Sequence, residues 1–184
     1  YLAANPTELK RRYESEEDYS LYPRYLEKAA ELLGEKHFYY KNLMAKLYYF
    51  EGLQVRFDAD HKVENAAYQK AIELQSKALA YQGRAPFILN ELGVLHTRLK
   101  LSDKAVEFYD KAIELAPEWG LPYVNLCLEF FYSQEQAKAV EAGDKALGRM
   151  PNYPQLYNLL GWVNANFGGK YSDRERWERR GVEL

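Results

Sequence analysis

The chain has 184 residues, a net charge of −2, 47% apolar residues and 28% charged residues, which is the composition of a folded globular protein. This charge balance excludes an overall basic field for nucleic acid or anionic lipid. No apolar run approaches the roughly 18 residues that span a bilayer, and a single Cys excludes an internal disulfide. Because the first residue is Tyr, we expect a mature or excised fragment. The compartment is open between the cytoplasm and, if a signal segment was removed, the cell envelope.

Apolar residues three and four positions apart run through almost the whole sequence, and this spacing predicts an all-α chain. Gly and Pro divide the pattern at regular intervals, which indicates about ten helices. We predict them near residues 6–14, 21–34, 37–57, 62–82, 86–99, 102–115, 120–132, 134–148, 154–167 and 172–183.

The segment from Pro86 to Pro117 repeats its landmarks every 34 residues. The recurring positions are Leu89, Tyr123 and Tyr157; Leu92, Leu126 and Leu160; Gly93, Cys127 and Gly161; Ala105 and Ala139; Ala112 and Ala146; and Pro117 and Pro151. A fixed period of this length indicates a helical solenoid, in which neighbouring units bury one another's apolar faces. The small residues let paired helices approach closely, and the Pro ends the second helix of each pair.

This pattern resembles the tetratricopeptide repeat family, in which a large residue is followed by Leu-Gly, an aromatic, Ala, a second aromatic, Ala and a closing Pro. His96 stands at the first aromatic position of the unit from Pro86, and Tyr109 stands at the second. The next unit departs from the pattern, with Cys127 in place of Gly and Gly143 in place of the second aromatic. The resemblance implies a right-handed superhelical solenoid of antiparallel helix pairs.

The resemblance and the breaks predict one repeat domain over residues 1–184. Its parts, in chain order, are an N-terminal helical element at 1–36, an irregular long helix pair at 37–85, and repeat units at 86–119, 120–153 and 154–184. The last unit is degenerate, as expected of a capping repeat.

The resemblance also implies a concave groove, lined by the first helix of each pair, that binds a peptide or helix of another protein. The family's groove positions correspond here to Phe87, Asn90, Val94, Thr97, Leu121, Val124, Leu128, Phe131, Gln155, Asn158, Trp162 and Asn166. They form an apolar floor with amides, without the cations that some members use to bind acidic chaperone tails. We expect a protein partner and no nucleic acid, membrane span, cofactor or metal.

Two other functions remain open at this point. The repeats could associate with a second copy, dock an adjoining domain, or have their groove filled by the N-terminal helices. Catalysis has little support: Asp58, Asp60 and His61 fall together in a predicted turn, where solvated side chains are expected. Cys127 takes a small-residue position, which predicts a buried, inert thiol rather than a nucleophile.

Overall fold

The structure is a computed structural model that describes residues 16–37, 39–62 and 65–167, with the backbone alone at 16–22 and 57–62. The described residues form eight α-helices and no strand. In chain order they are α1 (Glu16–Leu33), α2 (Tyr40–Lys62), α3 (Asn65–Gln82), α4 (Pro86–Arg98), α5 (Ser102–Leu115), α6 (Leu121–Tyr132), α7 (Gln136–Arg149) and α8 (Pro154–Asn166). The other two predicted helices, near 6–14 and 172–183, lie outside the described residues. The predicted all-α class is confirmed.

The chain packs as two compact units, Tyr1–Arg84 and Ala85–Leu184, which we call the N-terminal and C-terminal units. The division falls where the first clear repeat begins. In the N-terminal unit α1 packs on α2 and α2 on α3; in the C-terminal unit α4 pairs with α5 and α6 with α7, and α8 follows. The single repeat domain over 1–184 stays a prediction.

The long helix pair of the N-terminal unit meets at Gly52 and Gln75. A Cβ on Gly52 would lie 2.6 Å from Gln75 Nε2, and this buried amide donates a hydrogen bond to the Tyr49 carbonyl at 3.0 Å. Gln75 precedes Tyr109 by one 34-residue period. Gly52 therefore occupies the position in its pair that Gly93 occupies in the first repeat pair. The spacing from Gly52 to Gln75 is seven residues longer than the spacing from Gly93 to Tyr109.

The predicted break between the two long helices was placed too early. The backbone of α2 stays helical to Lys62, and α3 begins at Asn65. No Gly or Pro stands between residues 53 and 64 to end the helix. Asp58, Asp60 and His61 therefore belong to the last turns of α2, not to an interhelical turn, and their side chains lie outside the described ones.

In the C-terminal unit, two of the recurring landmarks hold the end of one pair to the start of the next. The Tyr123 hydroxyl donates to the Pro117 carbonyl at 3.1 Å, and the Tyr157 hydroxyl donates to the Pro151 carbonyl at 2.7 Å. The Arg149 guanidinium lies over the Tyr123 ring at 4.2 Å. The two hydrogen bonds repeat with the period of the sequence, so they explain why Tyr stands at the start of both α6 and α8.

The closest approach within a helix pair is made by one small and one larger residue. A Cβ on Gly93 would lie 2.6 Å from Tyr109 Cδ1, so the tyrosine ring occupies the space that glycine leaves. In the next pair Cys127 and Gly143 stand at the same two positions with the sizes exchanged. A Cβ on Gly143 would lie 3.3 Å from Cys127 Sγ and 2.6 Å from Leu160 Cδ2. The two departures from the repeat pattern thus compensate each other.

The turns inside the pairs also repeat. Lys100 and Gln134, 34 residues apart, have positive φ angles of 58° and 62°. After α4, the Lys100 and Leu101 amides donate to the Thr97 and His96 carbonyls at 2.9 Å, which is the Schellman arrangement for ending a helix. The turn is thus set by its hydrogen bonds even though neither pair has the glycine that usually occupies this position.

His96 is a core aromatic of the first repeat pair. Its buried ring lies parallel to the Phe108 ring at a centroid distance of 5.2 Å, and its Nδ1 finds no hydrogen-bond partner among the described residues. Burial, and next the Lys104 ammonium, lower the pKa of His96 below its usual 6.5, while Glu107 acts in the opposite direction. The ring is therefore neutral where the family pattern has an aromatic.

Replacing Gly93 with Ala should lower the free energy of unfolding by about 1–3 kcal/mol, because the new methyl group overlaps the Tyr109 ring. Gly148→Ala is the matched control: its Cβ would meet no atom within 4 Å, so Ala there should stabilise α7 by about 0.5–1 kcal/mol. Denaturant unfolding measures both. In a Tyr109→Ala background the cost of Gly93→Ala should fall by at least about 1 kcal/mol; an unchanged cost would contradict the close contact.

The neutral His96 ring predicts a pH dependence. The folded state binds a proton at His96 more weakly than the unfolded chain does. The stability contributed by the neutral ring is therefore present above about pH 6.5 and is lost as the pH falls below it. His96→Phe removes this titration. As the pH is lowered from about 7.5 to about 5.5, the free energy of unfolding should fall further in the parent than in the variant, and urea titrations at each pH measure this difference. A parallel loss in both proteins would refute this assignment.

Candidate functional site

In the C-terminal unit, the first helices of successive pairs lie next to one another. Helix α4 contacts α6, and α6 contacts α8, whereas α5 and α7 make no contact of comparable extent. The first helices therefore approach one another more closely than the second helices do. We call the surface formed by the twelve predicted residues on α4, α6 and α8 the groove face.

Most residues of the groove face reach its surface. The exposed ones are Gln155, Asn158, Trp162 and Asn166, all on α8. The partly buried ones are Phe87, Val94, Thr97, Leu121, Leu128 and Phe131. Asn90 and Val124 are buried and belong to the floor. Trp162 keeps 50% of its surface exposed, so it is the largest apolar group that this face offers to a ligand.

The first helices of the C-terminal unit carry fewer charged residues than the second helices. Helix α8 carries no charged residue, α6 carries Glu129, and α4 carries Glu91 and Arg98, whereas α5 carries six and α7 five. Both glutamates are buried, so Arg98, at the end of α4, is the one exposed charge on these three helices. The charged residues of the second helices are exposed, apart from a partly buried Arg149, and include the ion pairs Lys111–Glu107 and Lys145–Glu141.

Glu129 is held inside the unit by hydroxyl groups. Its two carboxylate oxygens accept hydrogen bonds from Thr97 Oγ1 at 2.6 Å and from Ser102 Oγ at 2.5 Å. Thr97 Oγ1 also lies 3.2 Å from the Tyr109 hydroxyl. The predicted groove residue Thr97 thus uses its hydroxyl internally, and only the rest of its side chain is left for a ligand. The equivalent positions one period earlier and one period later hold the buried apolar residues Leu95 and Val163.

An amide pair joins the first two helices of the groove face. Asn125 Nδ2 donates to Asn90 Oδ1 at 2.8 Å, which leaves the Asn90 amide hydrogens and the Asn125 carbonyl oxygen with bonding capacity. Asn125 is not among the twelve groove positions, because it stands one residue beyond the 34-residue equivalent of Asn90. A search for amides within one residue of each periodic position would have included it.

An aromatic cluster closes the end of the face near the hairpin turns. The Phe131 ring meets the rings of Tyr132 and Phe167 edge-on, with centroids 5.4 Å and 5.8 Å away. Gln136 Nε2 donates to the Phe167 carbonyl at 3.2 Å. These contacts fix Phe131 between α6 and the end of α8, so its ring is positioned without a ligand.

Cys127 and the possible metal ligands can be assessed within the described part of the chain. Burial, followed by the nearby Asp144 carboxylate, raises the pKa of the Cys127 thiol to about 12, so it is a thiol rather than a thiolate at neutral pH. Across the described residues, no three His, Cys, Asp or Glu side chains are grouped to hold a metal ion. None of the described helices is long and apolar enough to cross a membrane.

Comparisons with known proteins bear on the fold. No family model matches the chain. It is 23% identical over 94 residues to the Photosystem I assembly protein Ycf3 of Rippkaea orientalis, covering 51% of this chain and 52% of that protein. The matched part therefore spans about half the length of this curated relative.

Three solved structures, each 18% identical in sequence, have similar folds. The crystal structure of MamA has a TM-score of 0.66 and covers 99% of this chain and 95% of its own. BtubC from P. vanneervenii has a TM-score of 0.71 with 95% and 74% covered. A thermophilic TPR protein of Thermus thermophilus, TTC0263, has a TM-score of 0.64 with 76% and 74% covered. The predicted resemblance is thereby confirmed, and the chain has a tetratricopeptide-like helical repeat fold.

Proposed function

We propose that this chain is a protein–protein interaction module whose groove face binds a peptide or helix of a partner protein. The observation that carries the proposal is the contrast between the two layers of the C-terminal unit. The layer of first helices presents exposed Trp162 beside amides and almost no charge, while the layer of second helices is densely charged. A half-exposed large aromatic on a charge-poor surface is typical of a binding site.

Burial of apolar side chains supplies most of the affinity in this mechanism. Covering the exposed half of Trp162 removes roughly 100 Å² of apolar surface from water, which is worth about 2.5 kcal/mol. Phe131 is held in place by its ring contacts, so binding there costs little side-chain entropy. The amides of Asn158 and Asn166 hydrogen-bond the backbone of the bound segment and fix its position.

The proposal does not include catalysis or the acidic tails of chaperones. A carboxylate-ended tail needs a set of cations, and Arg98 is the one exposed cation on the three groove helices of the described residues. Binding of protein partners is in line with the name of the partial relative, an assembly protein. The chemistry of the groove face limits the kinds of partner segment that it would bind.

A second candidate function has its own support in the N-terminal unit. On α1, Tyr25 and Leu32 are 70% and 77% exposed and stand two helical turns apart. Such a face suits self-association or docking of an adjoining domain. Sedimentation at several concentrations separates the candidates: the groove proposal expects a constant mass. A mass that rises with concentration, and no longer does so in Tyr25→Ser/Leu32→Ser, would favour the structural role.

A library of random peptides displayed on phage tests the groove proposal. Peptides enriched on the parent chain should bind Trp162→Ala at least about tenfold more weakly, because the largest exposed anchor is removed. Val140→Ala is the matched control, since Val140 is 37% exposed on the second-helix layer. It should bind like the parent. Enriched peptides that bind parent and Trp162→Ala equally would place recognition outside the groove face.

A further inference from the structure

The groove face carries a more specific inference, which rests on the proposed function. We infer that its occupant is an uncharged segment of a partner protein, bearing a large apolar side chain and recognised without ion pairs. Binding would then be nearly independent of salt concentration. The argument has three steps: where the charges lie, what a charged occupant would cost, and what an uncharged one would gain.

The absence of charge on α8 is not a consequence of burial. Gln155, Asn158, Trp162 and Asn166 are all exposed there, and exposed helix positions usually carry charged residues. The equivalent surface of α7 follows that rule, with Lys138, Glu141, Asp144 and Lys145 exposed. The same chain therefore places charge freely on its outer layer and uses uncharged side chains on its inner one.

The two carboxylates on the groove helices, Glu91 and Glu129, are both buried, and that of Glu129 is not available to a cationic ligand. Both Glu129 oxygens already accept hydroxyl hydrogen bonds from Thr97 and Ser102. A Lys or Arg side chain laid on the face would lose water without gaining a counter-ion. An Asp or Glu side chain would meet only Arg98, at one end. Because an unpaired charge is costly to desolvate, the face rejects charged segments of either sign.

An uncharged segment meets complementary groups along α8. Asn158, Trp162 and Asn166 stand four residues apart and share one face of the helix, so an indole lies between two amides. Asn166 Nδ2 donates to the Trp162 carbonyl at 2.9 Å, which leaves its Oδ1 to accept. A large apolar side chain covers Trp162, and the amides on either side take the backbone groups that flank it.

The test uses the phage-selected peptides that bind the parent and fail on Trp162→Ala. Their content of Asp, Glu, Lys and Arg should fall at least about threefold below that of the starting library. A synthetic member should bind with less than about a twofold change in Kd between low and molar salt, because no ion pair is screened. Replacing its central apolar residue with Asp or Lys should weaken binding at least about tenfold.

A groove variant gives an independent arm. Asn158→Lys places a cation on the exposed surface of α8 and should bind the Asp-substituted peptide more tightly than the parent does, with an affinity that falls as salt is added. The inference is overturned if peptides that depend on Trp162 are rich in charged residues, or if molar salt weakens their binding more than about tenfold. Either result would leave the proposed groove function in place. Peptides that do not depend on Trp162 would instead refute the groove function itself. A rise in protein mass with concentration that those peptides suppress would identify a second copy as the occupant, and would also overturn the inference.

Discussion

The structure depends on close contact between paired helices, made wherever one small residue faces a larger one. Gly93 leaves room for the Tyr109 ring, and Gly52 leaves room for Gln75. Neither pair has room for a side chain at the glycine unless the facing Tyr109 or Gln75 side chain moves. This constraint lets the two helices of a pair pack closely, and in the C-terminal unit the first helices of successive pairs also contact one another. The groove face therefore depends first on how the helix backbones pack and only then on the side chains that line it.

The distribution of charge supports the binding role that we propose for the surface of the first helices. The outer layer carries exposed ion pairs such as Lys145–Glu141, which interact favourably with water and contribute little to stability. The inner layer replaces them with amides and aromatics, and its carboxylate at Glu129 is bound by hydroxyl donors. The outer layer presents its charges to water, and the inner layer presents the apolar and amide groups on which the proposed binding depends. A neutral partner segment is the occupant that this division of labour favours.

Much of this could be predicted from the period of 34 residues, because Pro117 and Tyr123 act at the same place as Pro151 and Tyr157 one period later. What the period could not show is compensation between two positions of one unit. The exchange of size between Cys127 and Gly143 becomes visible only when the two are seen in contact. Gly52 was missed because seven extra residues shift it out of register with Gly93. Thr97 was placed correctly on a first helix, but its hydroxyl is taken by Glu129, which occupies a position that neighbouring units fill with an apolar residue.

The most direct test of the account is the response of the tryptophan indole N–H signals in a ¹⁵N-resolved NMR titration with a neutral, phage-selected peptide. The chain has three tryptophans, and Trp162 stands on the groove face while Trp119 lies in the connection between α5 and α6. The account predicts a progressive shift of the Trp162 signal, saturating with the measured Kd, with Trp119 unchanged and little effect of salt. Saturable binding that leaves the Trp162 signal in place, or that vanishes in molar salt, would contradict it.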